Sequence, residues 1–229
     1  MSILTNQLIE NYTNSLYRQD DPFLTQLRQQ AQNSLVPIIT RDTERLLYTL
    51  CALIRPGRIL EIGTAIGYSA ICFAKAAPQA RILTIESRER SCHKARENFL
   101  KAGVQERVRV LQGKAEEVLS TLSGSFDLIF IDAAKGQYMT FFRLAAPFMD
   151  PGCLVISDNV LYKGMPADDS FVDIRRNKTI AKRMRRYLSY LTEEPALETC
   201  LLSVGDGVAL SFCKNRPQPE KQAACQDGD

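Results

Sequence analysis

The sequence predicts an α/β fold: five parallel strands with helices on both faces, completed to seven strands by a C-terminal antiparallel hairpin. Short apolar runs of strand length alternate with helical patterns from residue 58 onward, the β-α alternation that builds a parallel sheet. Two of these runs break into polar residues where a buried strand should end, at Asp132 and at Asp158-Asn159. Gly205-Asp206-Gly207 separates the last two strand-like runs, a hairpin signal. The 229 residues, 45% hydrophobic and 24% charged, suit one soluble domain with a substantial core.

Three helical patterns come first, at 2–18, 22–33 and 41–54. The third is capped by Thr40 or Asp42 and carries Leu46, Leu47, Leu50 and Leu53 at helical spacing. Aliphatic and β-branched runs predict strands at 58–62, 81–86, 108–112, 128–131 and 154–157. Helices are predicted between them at 67–76, 88–102, 115–122 and 138–149. A long helix at 172–193 then precedes two strands, 198–204 and 207–213. The segment 214–229 is polar, holds two prolines and reads as a disordered tail, which leaves 1–213 as a single domain with 2–54 as its N-terminal cap.

The net charge of +3 neither requires nor excludes an anionic partner. Seven scattered cysteines without a Cys-x-x-Cys pair argue for reduced thiols, and against zinc or a disulfide framework. Residues 1–15 are amphipathic and contain Glu10, unlike a secretory signal. No apolar run reaches the roughly 18 residues of a membrane span. The expectation is a cytoplasmic protein. His93, the only histidine, lies in a charged helix and reads as a solvated side chain; no nucleophile-elbow motif exists to meet it.

Ligands bind at the carboxyl ends of strands in open α/β sheets. Asp132, Asp158 and Asn159 arrive there from two strands as an all-oxygen set, which suits a hard divalent cation such as Mg²⁺. Glu61-Ile62-Gly63-Thr64-Ala65-Ile66-Gly67 follows the first strand. Gly63 allows a turn that side chains would block, and Gly67 lets backbone approach a ligand at a helix start. The spacing differs from the Gly-x-Gly-x-x-Gly of dinucleotide binders, which disfavours a nicotinamide-dependent oxidoreductase. Glu61 would repel a pyrophosphate but attract an ammonium. Glu86 ends the second strand and is placed to accept from ribose hydroxyls, while Gly113-Lys114-Ala115 follows the third and is expected to line an adenine pocket with backbone groups.

The string from Ile59 to Ser69 resembles the S-adenosylmethionine motif of class I methyltransferases, and specifically the cation-dependent O-methyltransferases of catechol and caffeoyl-CoA type. Phe130-Ile131-Asp132-Ala133-Ala134-Lys135 and Asp158-Asn159-Val160-Leu161 resemble that group's metal motifs, and the likeness spans about residues 35–213. It implies a seven-stranded, Rossmann-like methyltransferase sheet. It further implies S-adenosylmethionine held by Ile39, Glu61, Gly63, Gly67, Ser69, Glu86, Lys114, Ala115 and Asp132, and Mg²⁺ held by Asp132, Asp158 and Asn159. Lys135 stands at the position of the group's general base, and Asp132 joins it in the catalytic pair. The N-terminal helices are implied to form part of a homodimer interface. Cys153 departs from the pattern, which has a second glycine after Gly152.

Two vicinal oxygens would chelate such a cation, and both a catechol and 5-hydroxyuridine offer them. Ala133–Tyr138, Asp158–Gly164 and Val204–Val208 look most like the bacterial tRNA 5-hydroxyuridine methyltransferases, which implies the tRNA wobble base as acceptor. A run of basic residues without an acidic one, Arg175, Arg176, Lys178, Lys182, Arg183, Arg185 and Arg186, fits phosphate neutralisation, and Lys163 extends that charge toward the metal loop. A solvated helix balanced by nearby acids, or an anionic small acceptor such as a coenzyme A ester, fits the same run. The expected activity is therefore S-adenosylmethionine- and Mg²⁺-dependent O-methylation of tRNA 5-hydroxyuridine in the anticodon loop. The alternative acceptor is a catechol-like or CoA-linked phenol.

Overall fold

Aliphatic side chains buried on both faces build the central strands. The computed structural model describes residues 6–17, 21–172 and 175–217. It contains β1 (Arg58–Ile62), β2 (Arg81–Glu86), β3 (Val108–Gln112), β4 (Phe126–Ile131), β5 (Met149–Ser157), β6 (Leu197–Leu202) and β7 (Val208–Cys213). These form one seven-stranded sheet in the order β3-β2-β1-β4-β5-β7-β6. The first five strands pair in parallel, and β7 is antiparallel to both β5 and β6. The predicted hairpin thus forms, with its second strand inserted next to β5.

The helices are α1 (Gln7–Leu16), α2 (Pro22–Asn33), α3 (Arg41–Ile54), α4 (Tyr68–Ala76), α5 (Glu89–Lys101), α6 (Ala115–Leu119), α7 (Tyr138–Ala145) and α8 (Arg175–Glu193). Side chains from α2, α3, α4 and α5 join one face of the sheet in a first core cluster; α6, α7 and α8 cover the other face in a second. Residues Tyr68 to Ala74 of α4 are all buried, so this helix is enclosed on every side. Phe73 meets Phe130 of β4 edge to face at 5.4 Å.

Several boundaries differ from expectation: α6 stops at Leu119 rather than 122, β4 begins at Phe126 rather than 128, and β6 ends at Leu202 rather than 204. Three further differences have visible causes. The helix predicted at 138–149 ends at Ala145 and passes into a short 3-10 turn, Ala146–Phe148, because Pro147 has no N–H to continue it. β5 starts at Met149 rather than 154: its pairing with β4 jumps from Phe126↔Met149 to Leu128↔Leu154, so the chain bulges around Pro151-Gly152 and resumes the ladder. Past β7, the Lys214 N–H donates to the Ala196 carbonyl at 2.8 Å and Arg216 pairs with Asp150, so the start of the predicted tail is tied to the sheet. The rest, 218–229, lies outside the described residues. Among the described residues no helix is long and apolar enough to cross a membrane.

Candidate active site

Each functional loop leaves the sheet one residue past its strand, held by a carbonyl at the end of the neighbouring strand. Gly63 N–H donates to Ile85 O, Asp132 N–H to Ile62 O and Asp158 N–H to Ile131 O, all at 3.0 Å. These bonds carry the ladder across β2, β1, β4 and β5, and they set Glu86, Gly63, Asp132 and Asp158 side by side along the carboxyl edge. A Cβ at Gly63, whose φ is +108°, would lie 1.9 Å from the Asp132 carbonyl oxygen. Only glycine permits that crossing.

A cleft of about 720 Å³ opens above this edge. Of the expected donor-binding residues, Ile39, Gly63, Ser69, Glu86, Lys114, Ala115 and Asp132 line it, together with Lys135 and Asn159. Glu86 is 7% exposed and accepts from Ala65 N–H at 3.0 Å and Arg88 N–H at 2.9 Å. A carboxylate can accept about four hydrogen bonds, so it keeps capacity for ribose hydroxyls.

Two expected roles change. Glu61 does not line the cleft: it is 0% exposed, accepting from Ser69 Oγ at 2.5 Å and from Thr84 Oγ1. It lies on the face occupied by α4, where it ties the cofactor loop's helix to β2 rather than meeting an ammonium. Burial pushes its carboxyl up to about 7, against the pull of the two hydroxyl donors. Gly67 likewise yields to protein, since a Cβ there would sit 2.5 Å from the Phe99 ring of α5. Its small size admits that ring, and Gly67 is not among the residues lining the cleft.

The three oxygen donors come together as expected. Asp158 is 2% exposed, and burial, then the Asp132 carboxyl, hold its own carboxyl well above the usual range. Burial also raises Asp132, while the Lys135 ammonium pulls it back. Asn159 takes a left-handed conformation, φ +58°, which asparagine tolerates, and its amide Nδ2 lies 3.5 Å from Asp132 Oδ1. Two carboxyls whose ionisation burial opposes, one of them further opposed by the other, stand beside an amide as a donor set that a divalent cation would satisfy. The residues fit Mg²⁺.

Sequence reasoning missed what holds that set. Tyr138 OH donates to the Asp158 carbonyl at 2.8 Å, Tyr187 OH and Ser157 Oγ share a bond of 2.7 Å, and the two tyrosine rings meet edge to face at 5.7 Å. The β6-β7 turn adds a second support: Val160 and Leu161 N–H donate to the Gly207 and Asp206 carbonyls at 2.9 and 3.0 Å. The apolar spacing of Ala181 and Met184 inside the basic stretch, continued by Leu188 and Leu191 beyond it, was the available signal that α8 has a core-facing side.

Lys135 opens a 3-10 turn after β4, and its Nζ lies 4.2 Å from the centre of the Tyr162 ring. Lys163 Nζ lies 5.4 Å from the same ring. The basic helix does not act as one surface. Arg185 is turned onto the preceding loop, donating to Pro166 O and Met165 O and pairing with Asp169 at 2.6 Å. Lys178, Lys182 and Arg186 are exposed at four-residue spacing, one stripe of the helix, and exposed Arg183 reaches toward Gly136 O. The side chains of Arg175 and Arg176 lie outside the described residues. His93 is exposed on α5 beside Glu89, remote in role from the site.

Sheet order, terminal hairpin and cleft define the architecture of a class I S-adenosylmethionine-dependent methyltransferase. The family model for O-methyltransferases matches residues 13–214, and the chain belongs to that family. It is 33% identical over 216 residues to a catechol O-methyltransferase of Mycobacterium tuberculosis, covering 90% of this chain and 95% of that one. A Staphylococcus aureus structure described as a caffeoyl-CoA O-methyltransferase superposes with a TM-score of 0.86 at 34% identity, covering 90% of this chain and all of the other. An O-methyltransferase from Bacillus cereus in complex with S-adenosylhomocysteine gives 0.79 at 27% identity, with 90% and 97% covered.

Proposed function

We propose that the protein transfers the methyl group of S-adenosylmethionine to one of two vicinal oxygens on a catechol-like or CoA-linked phenol, with a divalent cation held by Asp132, Asp158 and Asn159. The observation that carries this reading is the meeting of two carboxyls, both raised by burial, and an amide at the rim of a nucleoside-sized cleft. When bound, the cation supplies Lewis-acid polarisation of the acceptor hydroxyl, and the donor supplies an electrophilic methyl. Glu86 accepts from ribose hydroxyls, the strand-end backbone at Lys114 and Ala115 borders the base, and Ile39 covers the donor. Lys135 Nζ takes the hydroxyl proton once its ammonium has given a proton to solvent, since only the neutral amine has a lone pair to accept it. Positioning then does most of the work, since two reactants held in line gain a large effective concentration.

The names of the relatives support a phenolic acceptor ahead of the tRNA base that the sequence motifs favoured. One observation keeps tRNA 5-hydroxyuridine as a second reading: the exposed stripe Lys178, Lys182 and Arg186, with Lys163 and Arg183 nearer the site. The deciding experiment gives the purified protein labelled S-adenosylmethionine and Mg²⁺ with either a catechol or a tRNA carrying 5-hydroxyuridine. Label in the catechol, lost on adding EDTA, is the expected result. Label in tRNA alone would transfer the assignment to the second reading, and full turnover in EDTA would sink the cation mechanism for both.

A further inference from the structure

The strap that walls one side of the cleft is held by a charge buried behind it. Pro37, Ile38 and Ile39 line the cleft. Their approach from α2 is fixed where Val36 N–H donates to Ala31 O at 2.9 Å. The other end is fixed by a side chain of that same helix: Arg28 Nη1 donates to the Ile39 carbonyl at 2.9 Å. Arg28 Nη2 meets Glu44 Oε2 at 2.8 Å, and that oxygen also accepts from Tyr68 OH at 2.7 Å. The guanidinium carbon stacks 4.7 Å from the Tyr68 ring centre. Glu44 and Tyr68 are 1% and 2% exposed, and Tyr68 itself lines the cleft. One guanidinium therefore joins α2, the strap, α3 and the first residue of α4.

A buried ion pair rarely repays its desolvation as stability, and apolar side chains of similar volume would hold these helices as well. What the fork adds is direction. Two donors in a rigid plane fix the Ile39 carbonyl relative to the Glu44 carboxylate and the Tyr68 ring. We propose that Arg28 is a positioning residue for the methyl donor: through Glu44 and Tyr68 it holds residues 37–39 at the spacing that grips the donor. This rests on reading the cleft as the donor site.

Arg28→Met keeps the apolar stem and loses both donors; Arg28→Lys keeps the charge without the fork. Calorimetric titration with S-adenosylhomocysteine should give a Kd raised about tenfold by Arg28→Met, or about 1.4 kcal/mol, and less by Arg28→Lys. The acceptor KM, and kcat at saturating donor, should hold, while exchange of the Val36 amide bonded to Ala31 O quickens and that of β1 and β4 does not. Glu44→Gln, which removes the charge and retains the shape, should raise the same Kd and serves if Arg28→Met fails to fold. Wild-type affinity in these variants would overturn the inference. So would a parallel decline of donor Kd, acceptor KM and thermal midpoint, the mark of general loosening. A wild-type protein that does not bind S-adenosylhomocysteine would instead defeat the donor reading of the cleft.

Discussion

Burial and then the neighbouring Asp132 carboxyl raise the proton affinity of Asp158, which is 2% exposed, so its charged form costs the folded chain stability unless a cation compensates it. Asp158→Ala should therefore abolish methyl transfer, a loss of at least about 100-fold, and leave S-adenosylhomocysteine affinity within about twofold, since Asp158 does not line the donor cleft. Calorimetry beside a turnover assay checks this, and retained turnover would refute it. Glu61 carries a different consequence. Its folded value of about 7 lies above the ordinary 4.5, so the proton is bound more tightly in the folded chain. The stability that this supplies, up to about 3 kcal/mol, is present below pH 4.5 and lost as pH rises through 7. Relative to wild type, Glu61→Gln should gain steadily in urea midpoint from pH 5 to pH 8; a constant difference would mean that Glu61 titrates normally. At this scale, Asp132, Asp158, Asn159 and Glu86 were legible because each ends an apolar run. The Arg28-Glu44-Tyr68 and Tyr138-Asp158 contacts were not, because they join residues at least 16 positions apart that no periodicity relates.

Helix α8 is where composition and structure part company. Read as composition, its arginines and lysines make a single basic surface; folded, the helix spends one side on Met184, Tyr187 and Leu191 in the core and commits Arg185 to the loop before it. Only the outward stripe is left for an anion. If a tRNA binds here, Lys178→Ala, Lys182→Ala and Arg186→Ala together should weaken it and reduce the slope of log Kd against log salt by up to about three. An unchanged slope in filter binding would remove the stripe from any nucleic-acid role. Arg185→Ala belongs to a different test. It should loosen the loop at 165–169, costing about 1–3 kcal/mol because two carbonyls lose a charged donor. The terminal hairpin was legible from its Gly205-Asp206-Gly207 turn, yet nothing local indicated that the turn would brace the segment after Asp158.

Across the whole molecule, both core clusters are built on the two faces of one sheet, and the cleft draws its walls from loops on β1 to β5 and from the strap before α3. Strand alternation made that layering predictable; the strand order and the depth of the hairpin's insertion depend on pairings far apart in sequence. On α1, Leu8, Ile9, Tyr12 and Leu16 leave an apolar stripe exposed, at 77%, 56%, 64% and 65%. The homodimer implied by the family resemblance would cover it, so light scattering should give about twice 25.7 kDa and Leu8→Glu with Leu16→Glu should halve that mass. A wild-type monomer would exclude this use of α1. Because no face of the sheet is independent of the other, unfolding should be a single transition seen alike by fluorescence and far-ultraviolet dichroism. A ligand held by loops from so many strands binds only the intact unit. At 100 times its Kd, S-adenosylhomocysteine should then add about 2.7 kcal/mol to the whole chain and raise one thermal midpoint by about 5–10 °C at fixed protein concentration. Two transitions, of which the ligand moves one, would mean that the strap and N-terminal helices unfold apart from the sheet.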